Sequence, residues 1–279
     1  MIGLNDNIVS DRDFVMISDL VHQHCGINLH DGKRELVQAR IAKKLRLGGF
    51  STASQYIDHV LADKSGERFR DLVDSLSTNL TSFFRESNHF DFLSEQFLHT
   101  LIERKRKQHS TRIRAWSAGC SSGEEPYTLA ITLLEAVEGQ GSWDIKILAT
   151  DISRKVLAIA QNGAYDKSRV EKVPPMLRSK YFMAGPDREH VQVGTALRNT
   201  IRFNYLNLQE DWPFSGPFDV IFCRNVMIYF DKPTQQRLVN RFYDVLEGGG
   251  LLFTGHSESL TGINHKFNYV RPTIYVKPS

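Results

Sequence analysis

Residues 112–127, RIRAWSAGCSSGEEPY, restrict the fold of this chain more than any other segment. An apolar pattern typical of a strand, with Ile113, Ala115 and Trp116, runs into a turn of small residues and then into a helical pattern that begins near Pro126. Strand, small-residue turn and helix in this order build a crevice at the carboxyl end of a strand in an open α/β sheet. A proline and acids suit the first turn of a helix, where a missing N–H costs nothing and the dipole favours negative charge. The segment therefore predicts a cofactor crevice.

The chemistry of the turn indicates which cofactor fits. The turn is not GxGxxG, and acids at the start of the helix would repel a pyrophosphate. A molecule with a positive charge and a ribose but no phosphate fits better, and S-adenosylmethionine is such a molecule. Downstream, KILATD (146–151) predicts the next strand, which ends in Asp151. An acid there can accept hydrogen bonds from both ribose hydroxyls, although Asp151 could instead be a helix N-cap.

A third signal lies in FDVIFCRNVMIYF, residues 218–230, which predicts a buried strand followed by a polar break at Arg224 and Asn225. A helix over residues 235–246, glycines at 248–250 and an apolar strand over 251–253 follow. The glycines alone could be a simple turn. Because strand, turn and helix recur in this order, the sequence predicts an α/β fold with a doubly wound, Rossmann-like methyltransferase domain.

The motifs TNLTSFFRE, AGCSSGEEPY, ATDIS, FCRNVMIYF and FTGHSES together resemble those of the chemotaxis receptor glutamate O-methyltransferases, the CheR family. The resemblance extends over residues 11–275, and the first motif is not a general feature of methyltransferases. It implies a cytoplasmic enzyme, recruited to receptor arrays, that uses S-adenosyl-L-methionine and releases S-adenosyl-L-homocysteine. Its substrates would be glutamates of methyl-accepting chemotaxis receptors, methylated to esters for sensory adaptation.

The resemblance also implies roles for individual residues. Arg85 and Tyr229 are the expected catalytic residues, which orient the incoming carboxylate. The expected cofactor contacts are Asn79, Thr81, Arg85, Glu125, Asp151, Asn207, Leu208, Arg224 and Asn225. A guanidinium suits either the cofactor's own carboxylate or that of the substrate, so the partner of Arg85 stays open. Tyr229 has the alternative of a core aromatic, and Glu124 is interpreted as an acid favoured by a helix N-terminus.

Composition limits the class of protein. Hydrophobic residues make up 41% and charged residues 24% of the 279 residues, as in soluble globular proteins. No apolar signal stretch or membrane-spanning run is evident, so we expect no membrane insertion. His22, His24, Cys25 and His30 suggest zinc only superficially, because i, i+2 spacing does not place ligands on one helical face, and we predict no metal. The three cysteines, with no CxxC spacing, are predicted to be reduced thiols.

The pattern is helical before residue 112 and α/β afterwards, which predicts two domains. We expect a helical receptor-docking domain (1–76), a junction (77–91) that packs over the cofactor crevice, and a methyltransferase domain (92–279). Ser10 or Asp11 is expected to cap the first helix, and Gly26 to interrupt it. Further helices are predicted over residues 32–47, around Tyr56 to Leu61, and from Phe69 to Leu76. Residues 164–200 are predicted to insert an antiparallel β-subdomain with a hairpin.

Partners are predicted from charge and loop length. The helix over residues 32–47 carries the basic residues Lys33, Arg40, Lys43, Lys44 and Arg46, which could dock on an acidic receptor bundle or be a solvated face. The basic run at 104–107 is interpreted as a solvated face. The short hairpin turn with Pro186 predicts an enzyme that does not bind a C-terminal receptor pentapeptide. We expect a monomer that does not act on nucleic acid. The alternatives are a nucleic-acid amino-methyltransferase, whose amide-proline-aromatic motif is missing here, and a non-catalytic adaptor.

Overall fold

The computed structural model describes residues 9–279, so the part of the predicted first domain before residue 9 lies outside the described residues. The chain forms two compact units. The helical unit contains the described residues up to Thr78 together with Tyr229–Thr234. The sheet unit contains Asn79–Ile228 and Gln235–Ser279.

The helical unit contains α1 (Asp11–Cys25), α2 (Arg34–Gly48), α3 (Ala53–Leu61) and α4 (Glu67–Leu76). A capping box between Ser10 and Asp13 begins α1, and Gly26 ends it in the left-handed conformation, as predicted. Val37, Ile41 and Leu45, at i, i+4 and i+8 of α2, form an apolar stripe that is buried.

The predicted start of the second helix is wrong by two residues. A 3-10 turn over Asp31–Lys33, capped by the side chain of His30, precedes α2. Lys33 therefore lies before the helix and not on it. The helix predicted around Tyr56 to Leu61 is α3, in which Tyr56 is buried and Leu61 is 56% exposed.

The sheet unit contains the remaining elements. Its helices are α5 (Asn88–Phe92), α6 (Leu98–Lys107), α7 (Glu124–Val137), α8 (Arg154–Asn162), α9 (Pro175–Tyr181), α10 (Thr195–Thr200) and most of α11 (Lys232–Val245). Its strands are β1 (Arg112–Ala118), β2 (Asp144–Asp151), β3 (Ala164–Asp166), β4 (Phe182–Ala184), β5 (His190–Val193), β6 (Ile201–Tyr205), β7 (Phe218–Cys223), β8 (Leu246–Thr254), β9 (Asn268–Arg271) and β10 (Ile274–Val276). A π-helical turn, Leu93–Phe97, joins α5 to α6.

Seven strands form the main sheet in the order β6-β2-β1-β7-β8-β10-β9. The first five are parallel, and at one edge β10 pairs antiparallel with both β8 and β9. Because β1 lies between β2 and β7, the strand order reverses at β1, which is where such sheets bind ligands beyond their carboxyl ends. The predicted doubly wound architecture is confirmed.

Two boundaries near the end of the chain differ from the prediction. Helix α11 begins at Lys232, three residues early, because Asp231 accepts a hydrogen bond from the Thr234 N–H at 2.8 Å and caps it. Strand β8 begins at Leu246, so the glycines at 248–250 lie within an irregular part of the strand and do not form a simple turn.

The insertion forms a second, three-stranded antiparallel sheet in the order β3-β5-β4. The predicted hairpin is confirmed as β4 and β5, while β3 was not predicted. The basic run at 104–107 is not simply a solvated face, because Lys105 is buried and its Nζ lies 2.6 Å from the buried Asp219 carboxylate.

The longest helices of the part that the structure describes, α1 and α2, have 15 residues each. A membrane-spanning helix needs about 20 predominantly apolar residues. No helix within residues 9–279 meets the length and hydrophobicity that crossing a membrane requires.

Candidate active site

The turn after β1 depends on two glycines. Gly119 has a φ of 87°, and an added Cβ would lie 2.3 Å from Cγ2 of Val226, in the loop that follows β7. Gly123, with a φ of 99°, begins α7, and an added Cβ would lie 2.8 Å from atoms of Ala160 and Tyr165. Glycine is therefore required at both positions, because both the backbone conformation and the close approach exclude a side chain.

Asp151 joins the end of β2 to this turn. Its carboxylate is buried and accepts the Ser121 N–H at 2.8 Å and the Ser153 N–H at 2.9 Å. The N-cap of α8 is Ser153, whose hydroxyl accepts the Val156 N–H, so the interpretation of Asp151 as the N-cap is wrong. The two backbone bonds hold the Asp151 carboxylate in one orientation at the carboxyl end of the sheet.

The segment 79–86 packs against the same turn. The Ser121 hydroxyl donates to the Asn79 carbonyl at 2.9 Å, and the Phe84 N–H donates to Thr128 Oγ1 at 3.2 Å. Phe83 is fully buried between the rings of Tyr165 and Phe182, with centroid distances of 5.2 and 5.4 Å. These contacts attach the segment to the turn after β1.

Arg224 connects this segment to α7. Its side chain is 1% exposed, Nη2 lies 3.1 Å from Glu86 Oε2, and Nη1 lies 3.4 Å from Glu125 Oε2. It also donates a hydrogen bond to the Arg85 carbonyl. Asn225 Nδ2 donates to Glu86 Oε1 at 3.4 Å. We call Glu86, Glu125 and Arg224 the buried charge cluster. It brings together four of the predicted site residues, namely Arg85, Glu125, Arg224 and Asn225.

The two carboxylates of the buried charge cluster differ in their electrostatics. Burial works to raise the pKa of Glu86, but the Arg224 guanidinium outweighs it and the pKa is lowered. Burial raises the pKa of Glu125, even though Arg224 and the Ser117 hydroxyl at 2.7 Å favour its ionised form. Burial also raises the pKa of the Cys120 and Cys223 thiols well above their usual value, which makes both poor nucleophiles.

Arg85 is held at the edge of the cluster by its own segment. Its Nη1 donates to the Leu80 carbonyl at 2.6 Å, and its side chain is half-buried. The residues on either side have left-handed backbones, with φ of 52° at Phe84 and 54° at Glu86. With Ser121 and Asn225, four of the six non-glycine residues of this kind within residues 9–279 lie in these loops. Such strain concentrates at functional sites.

Glu258 is a residue that the prediction missed. It is buried, and its carboxylate accepts the N–H groups of Gly255 at 2.6 Å, Asn225 at 2.7 Å and Ile228 at 3.1 Å. These bonds fix the loop after β7. The only signal in the sequence was the motif FTGHSES, which contains Glu258 but does not indicate its partners.

Asn207 and Leu208 follow β6, whose last residue, Tyr205, pairs with Asp151. Both are buried. Asn207 Oδ1 accepts the Gln209 N–H at 3.0 Å, so the side chain stabilises its own turn. Thr81 is half-buried in the segment that packs on the turn after β1.

Glu124 is more than a helix-terminal acid. It is fully buried and forms an ion pair with Arg169 of the insertion. The Ser122 hydroxyl donates to it at 2.8 Å, and the Tyr165 hydroxyl donates to the Ser122 carbonyl at 2.6 Å. The inserted subdomain therefore braces the turn after β1 from outside the main sheet.

Tyr229 belongs to the helical unit. It is half-buried, which does not fit the alternative of a core aromatic. Its carbonyl accepts the Asn28 N–H at 2.7 Å, and Lys33 Nζ lies 5.8 Å from its ring centroid. Lys33 thus contacts an aromatic ring of its own unit.

The basic residues of α2 itself divide into two groups. Arg34 forms ion pairs with Asp11 and Asp31. Lys44 forms an ion pair with Asp71 of α4, so part of its charge is neutralised within the unit. Arg40, Lys43 and Arg46 are exposed and form no ion pair with any residue in 9–279. These three residues carry the positive charge of α2 that no ion pair within residues 9–279 compensates.

Comparison with known proteins identifies relatives over the whole chain. Residues 79–276 match the family described as "CheR methyltransferase, SAM binding domain", and residues 12–77 match "CheR methyltransferase, all-alpha domain". The "Chemotaxis protein methyltransferase" of Borreliella burgdorferi is 42% identical, with 99% of this chain and 97% of the relative aligned. The protein of the same description from Escherichia coli K12 is 38% identical over 96% of this chain and 91% of its own length. A "Probable chemotaxis protein methyltransferase" of Rhizobium etli is 42% identical over 92% and 96%.

Proposed function

This chain belongs to the CheR family of S-adenosylmethionine-binding chemotaxis methyltransferases, and we propose that it methylates glutamate side chains of methyl-accepting chemotaxis receptors. The observation that best supports this substrate is the cationic Arg85. Its segment packs on the turn after β1, and its backbone is fixed by the buried Arg224. A fixed guanidinium beside a cofactor crevice suits the orientation of a carboxylate.

The cofactor is S-adenosylmethionine, whose sulfonium supplies an electrophilic methyl group. The residues present fit it, because the left-handed glycines allow close approach to the turn and the nearby acids suit a cation. We propose that Asp151 holds the ribose and that Glu125 lines the turn. Asn79 and Thr81 would contact the cofactor from the junction (77–91), and Asn207, Leu208 and Asn225 would border its ends. Arg224 would act indirectly, because it positions Arg85 and Glu125.

The transfer needs no general base in this proposal. A glutamate side chain in water ordinarily has a pKa of about 4.3, so it is ionised at neutral pH. The protein needs to align the carboxylate oxygen with the methyl group and exclude water, which positioning and desolvation supply. Arg85 should orient the carboxylate without binding it too tightly, because stronger stabilisation of the substrate anion would slow the reaction. The hydroxyl of Tyr229 would also help to orient the substrate carboxylate.

The tyrosine can be tested directly. Tyr229→Phe should leave the cofactor dissociation constant nearly unchanged and lower the transfer rate about tenfold or more, because only the orienting hydroxyl is lost. Calorimetric titration of cofactor beside a single-turnover assay measures both quantities. Tyr269→Phe, at a site 65% exposed, is the matched control. Equal losses of binding and rate in Tyr229→Phe would show a structural role.

We propose that the helical unit docks on the cytoplasmic bundle of the receptor through α2, which would recruit the enzyme to receptor arrays in the cytoplasm. Receptor methylation sites in this family are glutamates on an acidic bundle, and Arg40, Lys43 and Arg46 offer complementary charge. Lys44 contributes less, because Asp71 already neutralises it. Lys33 lies at the start of this surface.

Charge reversal tests this docking surface. Arg40→Glu combined with Lys43→Glu should raise the apparent Michaelis constant for receptor about tenfold and leave cofactor binding unchanged. The effect should shrink as salt screens the charges. Arg106→Glu with Lys107→Glu makes the same change of net charge on the exposed end of α6 and is the control. If both double variants methylate receptor equally well at low salt, α2 is only a solvated face.

The hairpin of the insertion is relevant to a second way of binding a receptor, through a pentapeptide at the receptor's C-terminus. Between β4 and β5, Asp187 Oδ1 accepts the N–H groups of Glu189 at 2.8 Å and His190 at 3.0 Å, which closes the turn on itself. We propose that this compact turn does not grip a receptor C-terminal pentapeptide. Fluorescence anisotropy should show no saturable binding of such a peptide at micromolar protein. Micromolar binding that is lost on mutating the hairpin would contradict the proposal.

A substrate panel separates the proposed function from its alternatives. The enzyme is incubated with methyl-labelled cofactor and, in parallel, with receptor membranes or nucleic acid. Label should enter the receptor fraction alone. Label in nucleic acid would support the amino-methyltransferase, and cofactor binding without transfer to either would support the adaptor.

A further inference from the structure

Glu86 of the buried charge cluster also belongs to a second group of side chains, together with two histidines that the proposed reaction does not use. Glu86 ends the segment 79–86, His89 lies in α5, and His256 follows β8. Each offers one ligand atom, and these atoms all lie within 4.8 Å of one another. We propose that Glu86, His89 and His256 bind one divalent transition-metal ion of the class represented by Zn²⁺.

The orientation of His89 is the first support. His89 is fully buried, and its Nε2 lies 2.8 Å from Thr273 Oγ1. The Thr273 hydroxyl donates its own hydrogen to the Pro272 carbonyl at 2.6 Å, so its oxygen accepts from Nε2–H of His89. The neutral ring therefore carries its proton on Nε2 and has a lone pair on Nδ1.

That lone pair has no hydrogen-bond partner among the described residues. Nδ1 instead lies 3.7 Å from Glu86 Oε2. A buried acceptor that faces a carboxylate oxygen is unfavourable unless a cation or a proton donor lies between them. Thr273 plays the part that outer-shell groups play at metal sites, where the second ring nitrogen donates its N–H and fixes the ligating nitrogen.

His256 completes the set from the solvent side. Its Nε2 lies 3.9 Å from Glu86 Oε2, and its side chain is 52% exposed. Ligands of a tetrahedral Zn²⁺ at about 2.0–2.2 Å lie roughly 3.3–3.5 Å apart. The two separations from Glu86 exceed this by a few tenths of an ångström, and all three ligand atoms lie within 4.8 Å of one another, so a movement of about 1 Å or less by one ring would close the site. The exposed ring can make that shift and provides a route of entry. Without the ion, Asn88 Oδ1 accepts a hydrogen bond from His256 Nε2–H at 3.0 Å. With the ion bound, the ring would carry its proton on Nδ1, and Asn88 Oδ1 and water would be available for the remaining positions.

The ligand types select the ion. Two imidazole nitrogens and one carboxylate suit Zn²⁺ and its neighbours, whereas Mg²⁺ and Ca²⁺ prefer oxygen ligands. Arg224 lies 3.1 Å from the same Glu86 oxygen, and its positive charge opposes a second cation. We therefore expect a dissociation constant in the micromolar range, weaker than that of a structural zinc site.

Equilibrium dialysis of the full chain, free of any tag, with Zn²⁺ tests the proposal. We expect one Zn²⁺ per chain, unaffected by millimolar Mg²⁺, and at least tenfold weaker binding in His256→Ala. His99→Ala, at a histidine whose side chain is 79% exposed and which pairs with Glu103, is the matched control and should bind as the parent does. All three cysteines are buried, which limits competing thiol sites.

Cobalt supplies a second readout that does not involve methyl transfer. Co²⁺ bound by two imidazoles and a carboxylate should give the intense visible absorption of a four-coordinate site, and His256→Ala should abolish it. His89→Gln should do the same, with thermal unfolding measured in parallel, because this side chain is buried. No saturable Zn²⁺ binding, or equal Zn²⁺ affinity in His256→Ala and His99→Ala, would overturn the proposal. Neither result would affect the proposed methyl transfer.

Discussion

Arg224→Met should lower the free energy of unfolding by about 3–5 kcal/mol, the range for removing one partner of a buried ion pair. The guanidinium is 1% exposed and compensates both Glu86 and Glu125. Methionine keeps the apolar stem but leaves the two carboxylates unpaired. Methyl transfer should fall further than stability alone explains, because the Arg85 carbonyl also loses its donor. Chemical denaturation and a turnover assay measure the two effects.

The loss of unfolding free energy in Arg224→Met should depend on pH, which a simple packing defect would not cause. Burial already raises the pKa of Glu125, and without Arg224 that pKa should rise further. A carboxyl whose pKa is raised in the folded state binds more protons there than in the unfolded state. Its contribution to stability is present at low pH and is lost as pH rises. The deficit of Arg224→Met should therefore be smaller near about pH 5 than near about pH 7. A deficit that grows on acidification would contradict the role assigned to the buried charge cluster.

Asp151→Ala should weaken S-adenosylmethionine binding by about 1–3 kcal/mol, roughly five- to 150-fold, the scale of hydrogen bonds to a charged group. The carboxylate is expected to bind the ribose, and it also holds the N–H groups of Ser121 and Ser153. Both losses act on the cofactor crevice. Isothermal titration with cofactor measures the affinity.

A control must separate this loss from general unfolding. Asp166→Ala removes an acid of the inserted subdomain that is 62% exposed, and it should leave cofactor affinity unchanged. Thermal unfolding of both variants shows how much folded protein each titration contains. If a folded Asp151→Ala protein binds cofactor as tightly as the parent, Asp151 does not belong to the cofactor site.

Much of the fold was predictable because its signals are local. The strands β1, β2 and β7 are apolar runs that end in small or polar residues, and the hairpin strands flank a Gly-Pro-Asp turn. Ser10 and Gly26 carry the standard chemistry of helix ends. The same logic failed where a local feature had no strong signature. One example is the 3-10 turn before α2, and another is the glycines that lie within β8.

The site was predictable as a set of residues but not as an arrangement. The motifs placed Arg85, Glu125 and Arg224 near a cofactor. They did not show that Arg224 is buried between two carboxylates, one of which, Glu86, is 138 residues away in the sequence. The roles of Glu258 and Lys105 depend on backbone groups and an acid that come from distant segments. Periodicity and composition contain no information on such pairings. The cluster of Glu86, His89 and His256 was missed for the same reason, and the prediction of no metal considered only histidines close in sequence.

The most direct test of the central claim is the chemical form of the transferred methyl group. The enzyme is incubated with receptor membranes and methyl-labelled S-adenosylmethionine, and the washed receptor is treated with base. A glutamate methyl ester hydrolyses under these conditions, so we predict that the label is released as volatile methanol. A receptor in which the candidate glutamates are replaced by alanine should accept no label. Label that stays on the receptor after base treatment, or that enters the alanine variant equally, would contradict the account.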